Sequence, residues 1–182
     1  MKLKCKNRVR SYLYGFFLVQ IVGFMIALTG CKLMGISYST SGASTEGLKT
    51  VSIQYFQNRA SLVQPSLSQT LTDALIDKCK AQTNLTVTND LGDANFEGEI
   101  SDYNTKPQTV SAAAEAAVNR FTITVKVKYT NSVDPTLSYE QSFSRYKDYN
   151  SALDLSQVED DLTKDIVDEL VEDIFNKAFV NW

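Results

Sequence analysis

The sequence predicts an α/β (α+β) two-layer sandwich, with two amphipathic helices packed on one face of a mixed four- to five-stranded sheet. Three patterns carry this expectation. Phe121, Ile123, Val125, Val127 and Tyr129 alternate with Thr122, Thr124, Lys126 and Lys128, the period of a half-buried strand. Leu67, Leu71, Ala74, Leu75 and Cys79 recur at spacings of three and four, the period of a helix with one buried stripe. Val158, Leu162, Ile166, Leu170, Ile174, Phe175 and Ala178 form a second such stripe, and short alternating runs between the two supply the remaining strands.

The N-terminus reads apart from this domain. Lys2, Lys4, Lys6, Arg8 and Arg10 precede a nearly apolar run over 12–28, the two parts of an export signal. A membrane span is the alternative, since about 17 apolar residues reach the lower limit of spanning length. Leu28-Thr29-Gly30-Cys31 decides for the signal, because it resembles the lipobox of bacterial lipoproteins: an aliphatic residue, two small residues, then the cysteine that receives diacylglycerol. On this reading residues 1–30 are removed and Cys31 is the acylated first residue. Each buried methylene of its chains holds it at a membrane by about 0.8 kcal/mol. Lys32 is not the aspartate that retains enterobacterial lipoproteins in the inner membrane, so the expected location is the outer membrane, on its periplasmic side.

Composition narrows the function. Removing 30 of 182 residues leaves a chain the size of one domain. Five of the 18 basic residues and none of the 21 acidic ones lie in the removed segment, so the remainder carries a net charge of −8, which argues against nucleic acid as a partner. The chain has no histidine, which removes the usual general base at neutral pH and the commonest transition-metal ligand. No cofactor or metal is expected. Cys79 is then the only thiol, and its place in an apolar stripe marks it as buried and inert.

Residues 31–48 form the lipidated N-terminus and a Ser-, Thr- and Gly-rich tether, and 49–182 form a single globular domain. A strand is expected over 50–56, with Val51, Ile53 and Tyr55 opposed to Ser52 and Gln54. Ser66 is the expected N-cap of a helix running to about residue 82. A short strand over 85–88, a turn over 89–93 and a strand over 95–103, with Phe96, Gly98 and Ile100 inward, follow. Lys106-Pro107 is expected to break that strand and open a projecting loop over 104–118. The strand over 121–129 then turns at 131–135 into another over 137–146. Pairing Tyr129 with Tyr139 and Val125 with Phe143 puts apolar residues on one face and Lys128 opposite Glu140. The last helix is expected over 156–181.

Several runs resemble a known family. They are Lys49-Thr50-Val51-Ser52-Ile53-Gln54-Tyr55-Phe56-Gln57-Asn58-Arg59-Ala60, Pro65-Ser66-Leu67-Ser68-Gln69-Thr70, Gln82-Thr83-Asn84-Leu85, and Phe96-Glu97-Gly98-Glu99-Ile100 with Tyr103. Asn119-Arg120-Phe121-Thr122-Ile123-Thr124-Val125-Lys126-Val127, Asp173-Ile174-Phe175-Asn176-Lys177-Ala178 and the final Asn181-Trp182 complete the set. Together they resemble the LptE family of lipopolysaccharide-assembly lipoproteins. The resemblance implies a plug inside the LptD β-barrel that helps the barrel assemble, contacts lipopolysaccharide on its way to the surface, and catalyses nothing. A lipid-anchored periplasmic binding module without a barrel partner is the alternative.

Five cations are candidate lipopolysaccharide contacts: Arg120, Lys126 and Lys128 on the best strand, with Arg145 and Lys147 on its partner. The competing reading is a solvated strand face with cross-strand ion pairs. Glu97, Glu99 and Asp102 invite a glycosidase reading, although no apolar pocket nearby would raise one carboxyl. Asn89-Asp90-Leu91-Gly92-Asp93 lacks the spacing and the terminal glutamate of a calcium loop. Glu159, Asp160, Asp161, Asp165, Asp168, Glu169, Glu172 and Asp173 read as the solvated side of the last helix. Phe179, Val180 and Trp182 read as helix-end packing.

Overall fold

Strand β5 (Val118–Asn131) alternates buried and exposed side chains along its length, and this gives the whole sheet one apolar and one polar face. The computed structural model describes residues 45–62, 64–108 and 117–180. The export signal, Cys31, most of the tether, residues 109–116 of the expected loop, and Asn181 and Trp182 at the expected helix end fall outside the described residues. The sheet order is β3 (Thr86–Val87), β1 (Thr50–Ile53), β4 (Ala94–Gln108), β5 and β6 (Tyr139–Asn150), and β2 (Gln57–Asn58) also pairs with β4. β1 is parallel to β3 and β4, whereas β4, β5 and β6 are antiparallel, so the sheet is mixed. Helices α1 (Leu67–Gln82) and α2 (Leu155–Phe179) lie side by side, α1 against β1, β2 and β3, α2 against β5 and β6. The predicted two-layer arrangement is observed.

Tyr129 opposes Tyr139, Val125 opposes Phe143 and Lys128 opposes Glu140, which is the expected β5–β6 register. Both helical stripes are buried where predicted: Leu67, Leu71, Leu75 and Cys79 on α1, and Ile166, Leu170, Ile174 and Phe175 on α2. Between the layers, Phe96 packs 4.9 Å from Tyr129, and Phe179 lies 5.9 Å from both rings. Phe179 thus serves the helix-end packing expected of it. Burying one such aromatic side chain contributes roughly 1.5–3 kcal/mol.

The sheet has six strands because the run over 50–56 is interrupted. Tyr55 is 54% exposed, and Phe56 turns into the core, where Thr72 Oγ1 of α1 accepts a hydrogen bond from its backbone N–H at 3.2 Å. The chain then resumes as β2. Gly98 makes this possible, since a methyl group there would collide with the Phe56 ring and the Lys126 carbonyl oxygen.

β4 does not break at Lys106-Pro107 but continues to Gln108, so residues 104–108 and 118 belong to a β4–β5 hairpin rather than to a loop. Past Ile100 no strand adjoins β4 on its other side among the described residues, and such an edge tolerates the missing N–H of Pro107. β6 begins at Tyr139, because Pro135–Leu137 form a 3₁₀ turn, with Asp134 accepting from the Thr136 N–H at 3.0 Å. Ser66 precedes α1, but its side chain makes no capping bond. At the start of α2, the Asp154 N–H donates to Gln157 Oε1 at 3.0 Å, one half of a capping box.

Candidate functional site

Among the described residues no helix covers the second face of the sheet; the candidate contacts gather there, and strand parity decides which of them reach it. Even-numbered residues of β5 point to this open face, so Arg120, Lys126 and Lys128 share it with the β4 residues that oppose them: Lys106, Glu99 and Glu97. Arg145 and Lys147 do not. Phe143 faces the helices opposite Val125, and residues two and four further along β6 must face the same way. Arg145 Nε and Nη2 donate to Asp173 at 2.6 and 2.7 Å, and Lys147 Nζ donates to Glu169 at 2.7 Å. The five cations therefore divide between two faces instead of forming one patch. The parity of Phe143 carried that division in the sequence.

On the lower half of the open face the charges compensate in a lattice. Lys126 pairs with Glu140 at 2.6 Å, Lys128 with Glu97 at 3.4 Å and Arg59 with Glu99 at 3.3 Å. Lys128 lies directly opposite Glu140 in register, yet the ion pairs run Glu140 to Lys126 and Lys128 to Glu97. The charge-assisted hydrogen bond raises the Lys126 ammonium above its ordinary value and lowers the Glu140 carboxyl below its own. Glu97, Gly98, Glu99, Lys126, Lys128 and Glu140 line an open depression of about 300 Å³. Glu97 and Glu99 each meet a cation there, and Asp102 accepts from Asn104, so the three acids sit among polar partners. Exposed pairs of this kind add little stability.

The upper half is different. The Arg120 guanidinium donates twice to Asp148, both at 2.8 Å, and stacks 3.7 Å over the Tyr146 ring, which is 51% exposed. The Asp148 hydrogen bond raises Arg120 further and lowers Asp148. Lys106 lies directly across the ladder from Arg120, two cations side by side. Neither Tyr146 nor Lys106 is among the five cations that the sequence singles out, since Tyr146 carries no charge and Lys106 lies in the expected loop.

The remaining candidates have structural partners. Asp93 Oδ2 accepts from the N–H groups of Lys49 and Thr50 at 2.9 and 3.0 Å and from Thr50 Oγ1 at 3.0 Å; these bonds hold its carboxyl below the usual range. Cys79 is fully buried, and burial pushes its thiol up to about 12. Not all eight acids of α2 are simply solvated. Glu159 accepts from the Tyr103 hydroxyl, Glu172 pairs with Lys78 of α1, and Glu169 and Asp173 hold β6 as described. Asp160, Asp161, Asp165 and Asp168 are exposed. Among the described residues no helix is long and apolar enough to cross a membrane, and no three His, Cys, Asp or Glu side chains are grouped to hold a metal.

Two helices over one face of an open mixed sheet, with a polar and largely charge-compensated opposite face, define a small two-layer α+β domain. The chain belongs to the LptE family, described as lipopolysaccharide-assembly, whose model matches residues 48–178. A Helicobacter pylori protein described as a neuraminyllactose-binding hemagglutinin homologue is similar in structure, with a TM-score of 0.51, 9% identity, and coverage of 80% of this chain and 89% of that one. A minor lipoprotein from Acinetobacter baumannii gives a TM-score of 0.48 at 15% identity, covering 71% of this chain and 91% of its own. The rare lipoprotein B from Shewanella oneidensis gives 0.45 at 12%, covering 70% and 92%. At such identities the likeness is one of fold. No curated protein matches the sequence.

Proposed function

We propose that this chain is a non-enzymatic outer-membrane lipoprotein, anchored on the periplasmic side through acylated Cys31, that plugs and helps assemble an LptD-like β-barrel and assists lipopolysaccharide transport. The family match over residues 48–178 carries the reading, and the Leu28-Thr29-Gly30-Cys31 motif supports the anchor. Of the five candidate cations, Arg120, Lys126 and Lys128 are the proposed lipopolysaccharide contacts, because they share the open face. Arg145 and Lys147 serve to hold α2.

The test is affinity purification of the tagged full-length protein in mild detergent, with mass spectrometry of what accompanies it. A large outer-membrane β-barrel at equal stoichiometry is the expected result. A lone monomer overturns the plug and leaves a lipid-anchored binding module without a barrel partner. Replacing Lys126 and Lys128 together by Glu is expected to weaken binding to immobilised lipopolysaccharide while the circular dichroism spectrum stays unchanged. Unaltered binding removes these two lysines from the proposal.

A further inference from the structure

The turn over residues 89–93, which lacks the pattern of a calcium loop, walls a cleft beside β1. Ser52 and Asn95 are partners in the β1–β4 register and lie on the same face as Glu97. The other side chains that β4, β5 and β6 place on that face are half-buried or exposed, whereas Ser52 and Asn95 are each 4% exposed. They form a polar floor. Ser52 Oγ accepts the Gly92 N–H at 3.0 Å and donates to Asn95 Oδ1 at 2.6 Å, and Asn95 Nδ2 donates to Glu97 Oε1 at 2.9 Å. This relay fixes the amide's orientation and leaves it one further donor and one further acceptor direction. Gly92 lets the turn close on the floor, since a Cβ there would stand 2.9 Å from the Ser52 backbone nitrogen. Tyr55 and Leu91, the latter 78% exposed, supply the apolar part of the lining. Gln54, Asn89 and Asp90 complete it, and among the described residues none of their side chains has a hydrogen-bond partner. The cleft holds about 550 Å³, a volume common among small-molecule sites.

We propose that this cleft binds a neutral pyranose ring of an oligosaccharide. A sugar ring has an apolar C–H face and a rim of hydroxyls that both donate and accept. Tyr55 and Leu91 match the first, and the amides of Gln54, Asn89 and Asn95 match the second. Asp90 accepts from a hydroxyl with the added strength of a charge-assisted bond. Among the described residues no Lys or Arg lines the cleft, and the Asp90 carboxylate repels phosphate and other anions. Because the relay from Gly92 to Glu97 sets the floor before a ligand arrives, little ordering is lost on binding. The site thus differs in chemistry from Arg120, Lys126 and Lys128, which suit anionic groups. It goes beyond the barrel reading and does not depend on it.

The test uses the full-length protein in a detergent without a sugar headgroup, with maltotriose and N-acetylated chitotriose as probes, read by saturation-transfer NMR. The ring C–H protons of at least one probe are expected to take up saturation from the protein. Tyr55→Ser is expected to weaken binding of that probe about tenfold, and Asp90→Ala to weaken it less. Both side chains are exposed, so the urea midpoint of each variant should match the wild type and separate lost binding from lost fold. Asp161→Asn, on the exposed side of α2, is expected to bind as the wild type does. Displacement of the probe by the lipid-free polysaccharide of lipopolysaccharide supports the site and assigns its sugar to that molecule; displacement by soluble peptidoglycan fragments supports it and assigns the sugar to the cell wall. Two probes that take up no saturation overturn the proposal. So does a Tyr55→Ser chain that binds as tightly as the wild type, or displacement of the probe by inorganic phosphate. A barrel that co-purifies in the earlier experiment is a separate result that alters none of these outcomes.

Discussion

The two faces of β5 are built from neighbouring residues and answer to different physics. On the helix side Phe121, Ile123, Val125 and Val127 are fully buried and belong to the one hydrophobic core. On the open side Arg120, Lys126 and Lys128 balance neighbouring carboxylates in contact with water. Stability resides in the first face, and the second is the one proposed to meet a partner. A substitution should unfold the domain or alter its interactions according to whether its number is odd or even.

The largest expected effect tests the buried face. Phe121 packs edge-on 4.8 Å from Tyr103, and Phe121→Ala should cost about 3–5 kcal/mol in urea unfolding. A loss below about 1 kcal/mol would mean that the helix layer does not cover this end of the sheet as described. Gly98→Ala comes next, with an expected cost of about 1–3 kcal/mol, because the new methyl group meets both a backbone oxygen and the Phe56 ring. If a second change, Phe56→Leu, recovers much of that loss, the ring is the obstacle; if not, the backbone is. The smallest effect belongs to the open face. Lys126→Gln should leave the urea midpoint unchanged within error at both low and high salt, since its partner Glu140 is half-exposed and water replaces the contact. A salt-dependent loss would show that the charge lattice stabilises the fold after all.

The sequence made the buried face legible and much of the open face obscure. Helical stripes and strand alternation record burial directly, so the helices, β5 and the β5–β6 register could be read from apolar spacing alone. Tyr55 and Phe56 could not be assigned in that way. Both are aromatic, and only the absence of a side chain at Gly98, on another strand, shows which one enters the core. Likewise Pro107 marks a break only if β4 has neighbours on both sides, a fact of topology. The cations were identified by type, but their faces follow from parity counted from Phe143. The acids of α2 that grip β6 flank the apolar stripe, where solvated and bridging side chains look alike in sequence.

Asp93 has a mechanical consequence. Its carboxylate grips the backbone at Lys49 and Thr50, and its carbonyl receives the Ser132 N–H at 2.8 Å. Tension arriving along the chain from before residue 45 is thus spread over β1, β4 and the β5–β6 turn at once. The first strand of a domain usually frays first under load. This one is riveted, so a pull on it lifts the domain as a block and does not unzip its first strand.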